Sequence, residues 1–330
     1  MRLNPGRLLP RKLIREGKAV EQHIREGRFQ RSLALVTAFA SLLSGWEVAT
    51  EHYRGSYNQR LMYSPLLLTP AMLVAALWGA LSRRAARTVL PFVSLVILLD
   101  GLIGFFWHVR GVARKPGGWR IPIFNVTMGP PVLAPLLFAL SGYLGLLTTF
   151  LRQEDAPRRP FAARLPWLHA GKRHLLPRAL TREGSTLEHE IHEGRFQRHL
   201  AASAALAGVC SGFEALYSHY RNNFAYKVQW TPILLTPLLA FTGFGAIWSR
   251  WIGRTLLPVV SLLAILNGSI GAFYHVRAQW RSPGGIKFLL TNPRQGILYR
   301  LTYGPPPFAP LLFAASGFLG LLASLMRRER

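Results

Sequence analysis

The chain of 330 residues is poor in cysteine, in acidic residues and in charge as a whole. A single cysteine, Cys210, excludes an intramolecular disulfide framework and a cysteine-based zinc or iron–sulfur site. Asp and Glu number 14 against 40 Lys and Arg, a formal net charge of +26. Charged residues still make up only 16% of the chain, and half of it is hydrophobic. The apolar residues gather in blocks of 17 to 20, long enough to cross a bilayer. That blocking argues against a soluble globular enzyme. It also argues against a nucleic-acid partner, because a nucleic-acid binder sets Lys and Arg on a folded polar face. Here they lie between apolar blocks. A GxxxxGK[ST] phosphate loop and a Gly-x-Ser-x-Gly elbow are both missing. The first 31 residues hold no apolar core of a signal peptide, so no cleavable signal is expected.

What is present is a duplication. The block Leu8–Arg11 returns as Leu175–Arg178, 167 residues later. The same offset carries Glu26–Arg31 onto Glu193–Arg198, His52–Arg54 onto His219–Arg221, and His108–Arg110 onto His275–Arg277. Beyond Pro283 the offset becomes 175, because the second copy inserts eight residues around Thr291–Arg300. Gly129–Pro131 then matches Gly304–Pro306. The two copies cover roughly 8–151 and 175–326. Self-similarity in one register over so many blocks identifies an internal repeat.

Each copy predicts four spans, near 32–51, 65–82, 88–108 and 131–151, then 199–218, 232–249, 255–275 and 306–326. Pro130, Pro131, Pro305 and Pro306 sit where the fourth spans should start, a position that tolerates proline. The expected fold is an all-α integral membrane protein: eight transmembrane helices as two tandem parallel-repeat four-helix bundles. An even number of spans gives both copies one orientation, with an axis along the membrane normal. Of the 40 Lys and Arg, 27 fall in the segments that share a side with the termini. The positive-inside rule therefore places both termini in the cytoplasm and the chain in the cell (inner) membrane. The outward loops are 52–64, 109–130, 219–231 and 276–305. The segments 1–31 and 152–198 are basic and cytoplasmic, as is the tail 327–330. Within them, 10–31 (with Ile14, Val20, Ile24 and Phe29 among charges) and 177–198 read as interfacial helices. Anionic lipid headgroups are their expected partner.

An ionisable group inside a span is costly and needs a reason. Only Glu47, Glu51, Asp100 and Glu214 of the acids lie outside the cytoplasmic segments. Glu47 and Glu214 are equivalent, whereas Asp100 becomes Asn267 and Glu51 becomes Ser218. Glu47 and Glu214 are thus the candidate proton relays or tuning charges. His52 and His108 end spans one and three at the outer face, and His219 and His275 repeat them. Spans one and three are diagonal in an up-down-up-down bundle, roughly 11–14 Å apart given neighbouring axes about 8–10 Å apart. Two imidazoles with one iron between them fit that diagonal, and histidine is an axial ligand of haem iron.

Gly45, Gly101, Gly212 and Gly268 each lie seven residues before one of these histidines, two turns beneath it on the same face. Gly104 and Gly271 extend that face. The strip leaves room for a flat macrocycle, and equally for a neighbouring helix. Arg54, Arg110, Arg221 and Arg277 follow the histidines by two residues. They suit haem propionates or a quinone headgroup, or else snorkel to lipid phosphate. Two residues is about 200° of helix, so a shared ligand requires the helix to fray there.

The expected function is a membrane-integral electron-transfer subunit. It would hold a b-type haem, a quinone, or both, near the outer face of each repeat. Its expected partner is a redox protein docked on the basic outer loops, and an oligomer is compatible with that. Two alternatives stand beside it: a secondary transporter or channel using Glu47 and Glu214, and a cofactor-free scaffold subunit of a larger complex. The inner halves of the spans carry mainly Ser and Thr as polar groups, which counts against a transporter. The paired histidines lie on the opposite side from the His-rich face of desaturase-like di-iron oxidases. His189, Glu190, His192 and Glu193 cluster in the linker without a first-copy counterpart, so they read as a solvated face. Asn125-Val-Thr127 is a glycosylation sequon in an outer loop.

Overall fold

The computed structural model describes Arg15 and residues 29–151, 196–281 and 290–325. The expected interfacial helices and the linker cluster at 189–193 lie outside these residues, except for the last residues of each interfacial segment. Among the described residues there is no strand. The first part runs α1 (Phe29–Arg54), a 3-10 turn (Arg60–Tyr63), α2 (Ser64–Leu81), α3 (Arg83–Arg87), α4 (Val89–Ala113), α5 (Pro122–Thr127) and α6 (Ala134–Leu151). The second runs α7 (Phe196–Arg221), a 3-10 turn (Lys227–Gln229), α8 (Trp230–Trp248), α9 (Arg250–Arg254), α10 (Leu256–Trp280), α11 (Pro293–Tyr303) and α12 (Ala309–Leu325).

Six helices are long and apolar enough to cross a membrane: α1, α2 with its 3-10 turn, α4, α7, α8 with its 3-10 turn, and α10. Two more, α6 and α12, are apolar but shorter. They are shorter than the sequence suggests because Gly-Pro-Pro stays outside the helix. The proline in the first turn is Pro135 in α6 and Pro310 in α12, where a missing N–H costs nothing. Pro131 and Pro306 instead offer their carbonyls to histidines, described below. Helices α2 and α8 likewise carry Pro65 and Pro232 in their first turns. On the opposite side, Ser82 and Ser249 break the chain between spans. Each side-chain oxygen accepts from a backbone N–H three residues on, at Ala85 and Ile252, and so caps the short basic helix that follows. Exposed Trp78 and Trp248 mark one end of the spans, and Trp107, Trp230 and Trp280 the other. Such aromatic rings sit at the two membrane interfaces.

Packing is the same in both parts. Helix α1 packs on α2 and α6, and α4 packs on the same two, so α1 and α4 stand on a diagonal. Helices α7, α8, α10 and α12 repeat this square. In lipid no exclusion of water drives helices together, so close van der Waals contact has to do it, and small residues allow it. Gly45 fits against Thr69 of α2, and Gly212 against Thr236 of α8. A Cβ on Gly101 would stand 2.5 Å from the backbone nitrogen of Ala139, and one on Gly268 would stand 2.5 Å from the carbonyl oxygen of Pro310. Gly104 and Gly271 meet Pro135 and Pro310. All six glycines are thus taken up by neighbouring helices.

The two parts meet along a seam. Phe29 touches its own equivalent Phe196 edge to face, with ring centroids 6.1 Å apart. Phe29 therefore opens a span and is buried in the seam, where the sequence had suggested an interfacial helix. Leu33, Leu144 and Leu147 of the first part share one core with Leu200, Leu257 and Leu319 of the second. Nearby, the Tyr143 hydroxyl and His199 Nδ1 are 2.9 Å apart.

Candidate functional site

The histidines converge at the C-terminal ends of the diagonal helices, and they do so twice. The ring centroids of His52 and His108 are 6.4 Å apart, and those of His219 and His275 are 6.4 Å apart. Three of the four rings are held through Nδ1. His108 Nδ1 donates to the Pro131 carbonyl at 2.6 Å, His275 Nδ1 to the Pro306 carbonyl at 2.6 Å, and His52 Nδ1 to the Met62 carbonyl at 2.8 Å. A carbonyl only accepts, so each of these Nδ1 atoms carries a proton, and Nε2 holds the lone pair when the ring is neutral. That neutral form is the tautomer a metal-ligating imidazole uses. Among the described residues no group of three or more His, Cys, Asp or Glu is placed to hold a metal ion. The histidines come as pairs.

Further residues complete the surroundings. The turn after α1 places Ser56 and Tyr57 at φ 60° and 45°, and the turn after α7 places Asn223 and Phe224 at 50° and 47°. Two successive non-glycine residues in the left-handed region are strained, and the strain recurs at equivalent positions. Its effect is to fold an aromatic ring back onto a histidine. Tyr57 lies 6.1 Å from His52 and stacks on Tyr63 at 4.6 Å. Phe224 lies 6.4 Å from His219 and stacks on Trp230 at 4.0 Å. Asp100, one helical stretch below His108, meets the Ser64 hydroxyl and acts electrostatically on His52. In the second copy the amide of Asn267 donates to Thr231 Oγ1 at 2.5 Å. Sequence reasoning missed these aromatic pairs. The available signal was that 57 with 224, and 63 with 230, stay aromatic in both copies.

Glu47 and Glu214 are not beside the histidines' rings but in the seam. Glu47 Oε1 accepts from the backbone N–H of Phe308 at 3.2 Å, and Glu47 also takes the N–H of Ala309. These groups open α12, in the other repeat. Glu214 takes the N–H groups of Leu133 and Ala134, which open α6. Each acid thus caps a helix across the seam, Glu47 capping α12 and Glu214 capping α6. A carboxylate there satisfies orphan donors and meets the positive end of the helix dipole. Glu214 Oε1 has no partner.

The arginines are also engaged within the protein. Helix α1 stays regular through Arg54 and α4 through Ala113, so neither frays at its histidine. Arg54 reaches away, to the Gly304 carbonyl at 2.7 Å and to Glu51 at 2.6 Å. Arg221 bonds the Tyr217 hydroxyl at 3.1 Å, and that hydroxyl donates to the Gly129 carbonyl at 3.2 Å. Arg110 lies over the Trp107 ring, 5.0 Å from its centroid. The sequence-based pairing of Arg54, Arg110 and Arg221 with a ligand of the histidines gives way to these contacts. For the six glycines, the room for a macrocycle directly beneath each histidine is filled by helix contact. Asn125 is buried and its amide donates to the carbonyls of Pro116 and Gly118 at 2.9 and 2.7 Å, so it pins the loop and does not present a glycosylation acceptor.

The fold and site together define an all-helical protein with six helices long and apolar enough to cross a membrane and two imidazole pairs. No family model, curated protein or solved structure matches the chain.

Proposed function

We propose that the protein is a membrane-integral electron-transfer subunit. In this reading eight helices cross the cell membrane as two tandem parallel four-helix bundles, with both termini cytoplasmic. Helices α6 and α12 complete the two bundles despite their length. His52 with His108, and His219 with His275, each ligate the iron of one b-type haem near the outer face. The supporting observation is the 6.4 Å between ring centroids, found in both copies. Metal–nitrogen bonds of about 2 Å on either side of one metal, plus the depth of each ring, give roughly 6 Å. The carbonyl bonds to Nδ1 would orient the rings and fix Nε2 toward the metal. Bound there, the iron supplies a one-electron couple. A quinone near the outer face, and a redox partner on the basic outer loops, remain part of the reading. The test is an absorption spectrum of the purified protein, oxidised and reduced. A Soret band lost in a His52→Ala, His219→Ala variant supports it, and a wild-type protein expressed with haem supply but lacking that band refutes it.

A second reading is a cofactor-free scaffold subunit. The filled glycine strips and the histidine bonds that tie the Gly-Pro-Pro loops to helix ends favour it. It expects histidine substitutions to lower stability and leave every visible spectrum unchanged.

A further inference from the structure

One face of α1 gathers most of its buried polar residues, interrupted between Gln30 and Thr37 by buried Leu33 and Ala34. Gln30, Thr37, Ser41 and Ser44 are all buried, and Glu47 and Glu51 continue the line outward. On a regular helix the first four fall within about 60° of one another. From Gln30 to Glu51 the helix rises about 31 Å, close to the thickness of a bilayer's hydrocarbon core. Helix α6, packed on α1, adds buried Ser141 and Thr148.

A Ser or Thr inside a membrane helix ordinarily turns its hydroxyl back to a carbonyl of its own preceding turn. Ser44, Thr148, Thr149 and Thr242 do this. Thr37 and Ser41 do not, and both hydroxyls are buried without a partner. At the end of the line Gln30 donates to the Gly79 carbonyl while its Oε1 is also unpartnered. A stripe of small residues needs no such orphans to pack. Thr37 and Ser41, one turn apart, and Gln30 Oε1, two turns further along the same side, are buried polar groups without partners and point to small polar molecules that bond them. Side chains one turn apart stand about 5–6 Å from each other, the span of one water with two hydrogen bonds.

In the second copy the same helix lacks the two central hydroxyls, although Ser203 and Ser211 on it are also buried without partners. Ala204 and Gly208 replace Thr37 and Ser41, and Ala323 replaces Thr148. The notch at Gly208 is filled by Leu239, whose Cδ2 would lie 2.7 Å from an added Cβ. Ser211 and Glu214 keep the outer end of the row. Ser203, also buried and unpartnered, lies about 80° round the helix from Ser211.

We propose that a file of buried water runs along α1 from Gln30 to Glu47 and carries protons between the cytoplasmic side and that carboxyl. Hydroxyls and water pass protons by exchanging O–H bonds for hydrogen bonds, so the file needs no other reactant. Glu47 is faced by Glu51 and Arg54 on its own helix and by the N–H groups opening α12. Glu51, partly exposed, continues the route to the outer surface. The inference holds with or without a haem at the histidines.

Cysteine scanning in proteoliposomes tests the water, on a Cys210→Ala background that removes the native thiol. Thr37→Cys and Ser41→Cys should react with a small methanethiosulfonate ammonium reagent at least about tenfold faster than Ala204→Cys, since only a hydrated thiol ionises. Equal rates at 37, 41 and 204 would overturn the water file. Proton uptake driven by a potassium diffusion potential tests the conduction. The wild-type rate should exceed that of protein-free vesicles and fall to it in a Thr37→Val, Ser41→Ala variant. Wild-type vesicles no faster than protein-free ones, or a variant that conducts like wild type, would overturn the proton role. Thermal melts of each variant separate blocked from unfolded protein, and Ser41→Thr, which keeps the hydroxyl, should retain the flux.

Discussion

Replacing Glu47 by alanine strips α12 of its cap and leaves two backbone N–H groups without an acceptor in the seam. Loss of a side-chain cap costs about 0.5–2 kcal/mol. Leaving a buried donor unpaired costs about 1–3 kcal/mol. The lost charge at the positive helix end adds at most about 2 kcal/mol. These terms overlap, so Glu47→Ala should cost about 2–4 kcal/mol. Glu47→Gln keeps an acceptor of the same shape and loses only the charge, so it should cost about 1 kcal/mol. At about 2 °C per kcal/mol for a chain of this size, the alanine variant melts about 4–8 °C lower and the glutamine variant about 2 °C lower. Glu214→Ala should match Glu47→Ala, because it uncaps the equivalent helix. Thermal unfolding in detergent, followed by circular dichroism, measures all of these. Two results refute the capping account: an alanine variant that melts with wild type, or a glutamine variant that melts as low as alanine.

Other expectations rest on single contacts. Gly101→Val and Gly268→Val drive a side chain into the backbone of the fourth helix and should cost about 1–3 kcal/mol or more, read as a lower melting temperature. Gly104→Ala meets only Pro135 Cβ at 3.2 Å and should be milder. Asn125→Ala removes the two side-chain hydrogen bonds that pin its loop and should cost about 0.5–1.5 kcal/mol for each. The wild-type protein made in a glycosylating host should show no mobility change on deglycosylation. Ser56→Gly relaxes a left-handed residue, so it should melt at or above wild type, whereas Ser56→Val should melt below it.

Six of the eight expected spans were legible because bilayer thickness forces an apolar run of fixed length, and the pairing of histidines was legible because the duplication repeats it. Helix ends were less so. The sequence allowed the fourth span to begin at Pro131, but the carbonyls of Pro131 and Pro306 are engaged by His108 and His275, and the helix begins three residues on. The glycines carried two meanings with one pattern, and only neighbouring atoms decide between a cavity and a close contact. The capping contacts of Glu47 and Glu214 were not legible, because their partners lie across the seam, 261 residues away in one case. A contact between repeats leaves no local spacing to read. The aromatic lids depend on left-handed turns at Ser56–Tyr57 and Asn223–Phe224, which residue identity does not announce.

Comparing the copies separates what the duplication keeps from what it lets go. Both retain the paired histidines, the two capping glutamates and the glycine contacts, which all concern the bundle and the helix ends that carry the histidines. Along the helices the exchanges run both ways. Thr37, Ser41, Glu51, Asp100 and Thr148 give way to Ala204, Gly208, Ser218, Asn267 and Ala323, and Tyr57 and Tyr63 to Phe224 and Trp230. At least four run in reverse, Val36 to Ser203, Ala75 to Thr242, Leu102 to Ser269 and Val112 to Gln279, and the Thr242 and Ser269 hydroxyls are satisfied by their own helices. Packing needs alone would exchange polar and apolar residues in either direction, since both copies meet the same lipid, so the place of each exchange matters and not their number. The unpartnered hydroxyls of Thr37 and Ser41, absent at Ala204 and Gly208, follow if the histidine pairs serve a task performed twice and the path along α1 serves one performed once. A variant carrying Ala204→Thr and Leu239→Met, the first-copy residues, therefore should not make the second repeat conduct, because Gly208 still lacks the hydroxyl of Ser41.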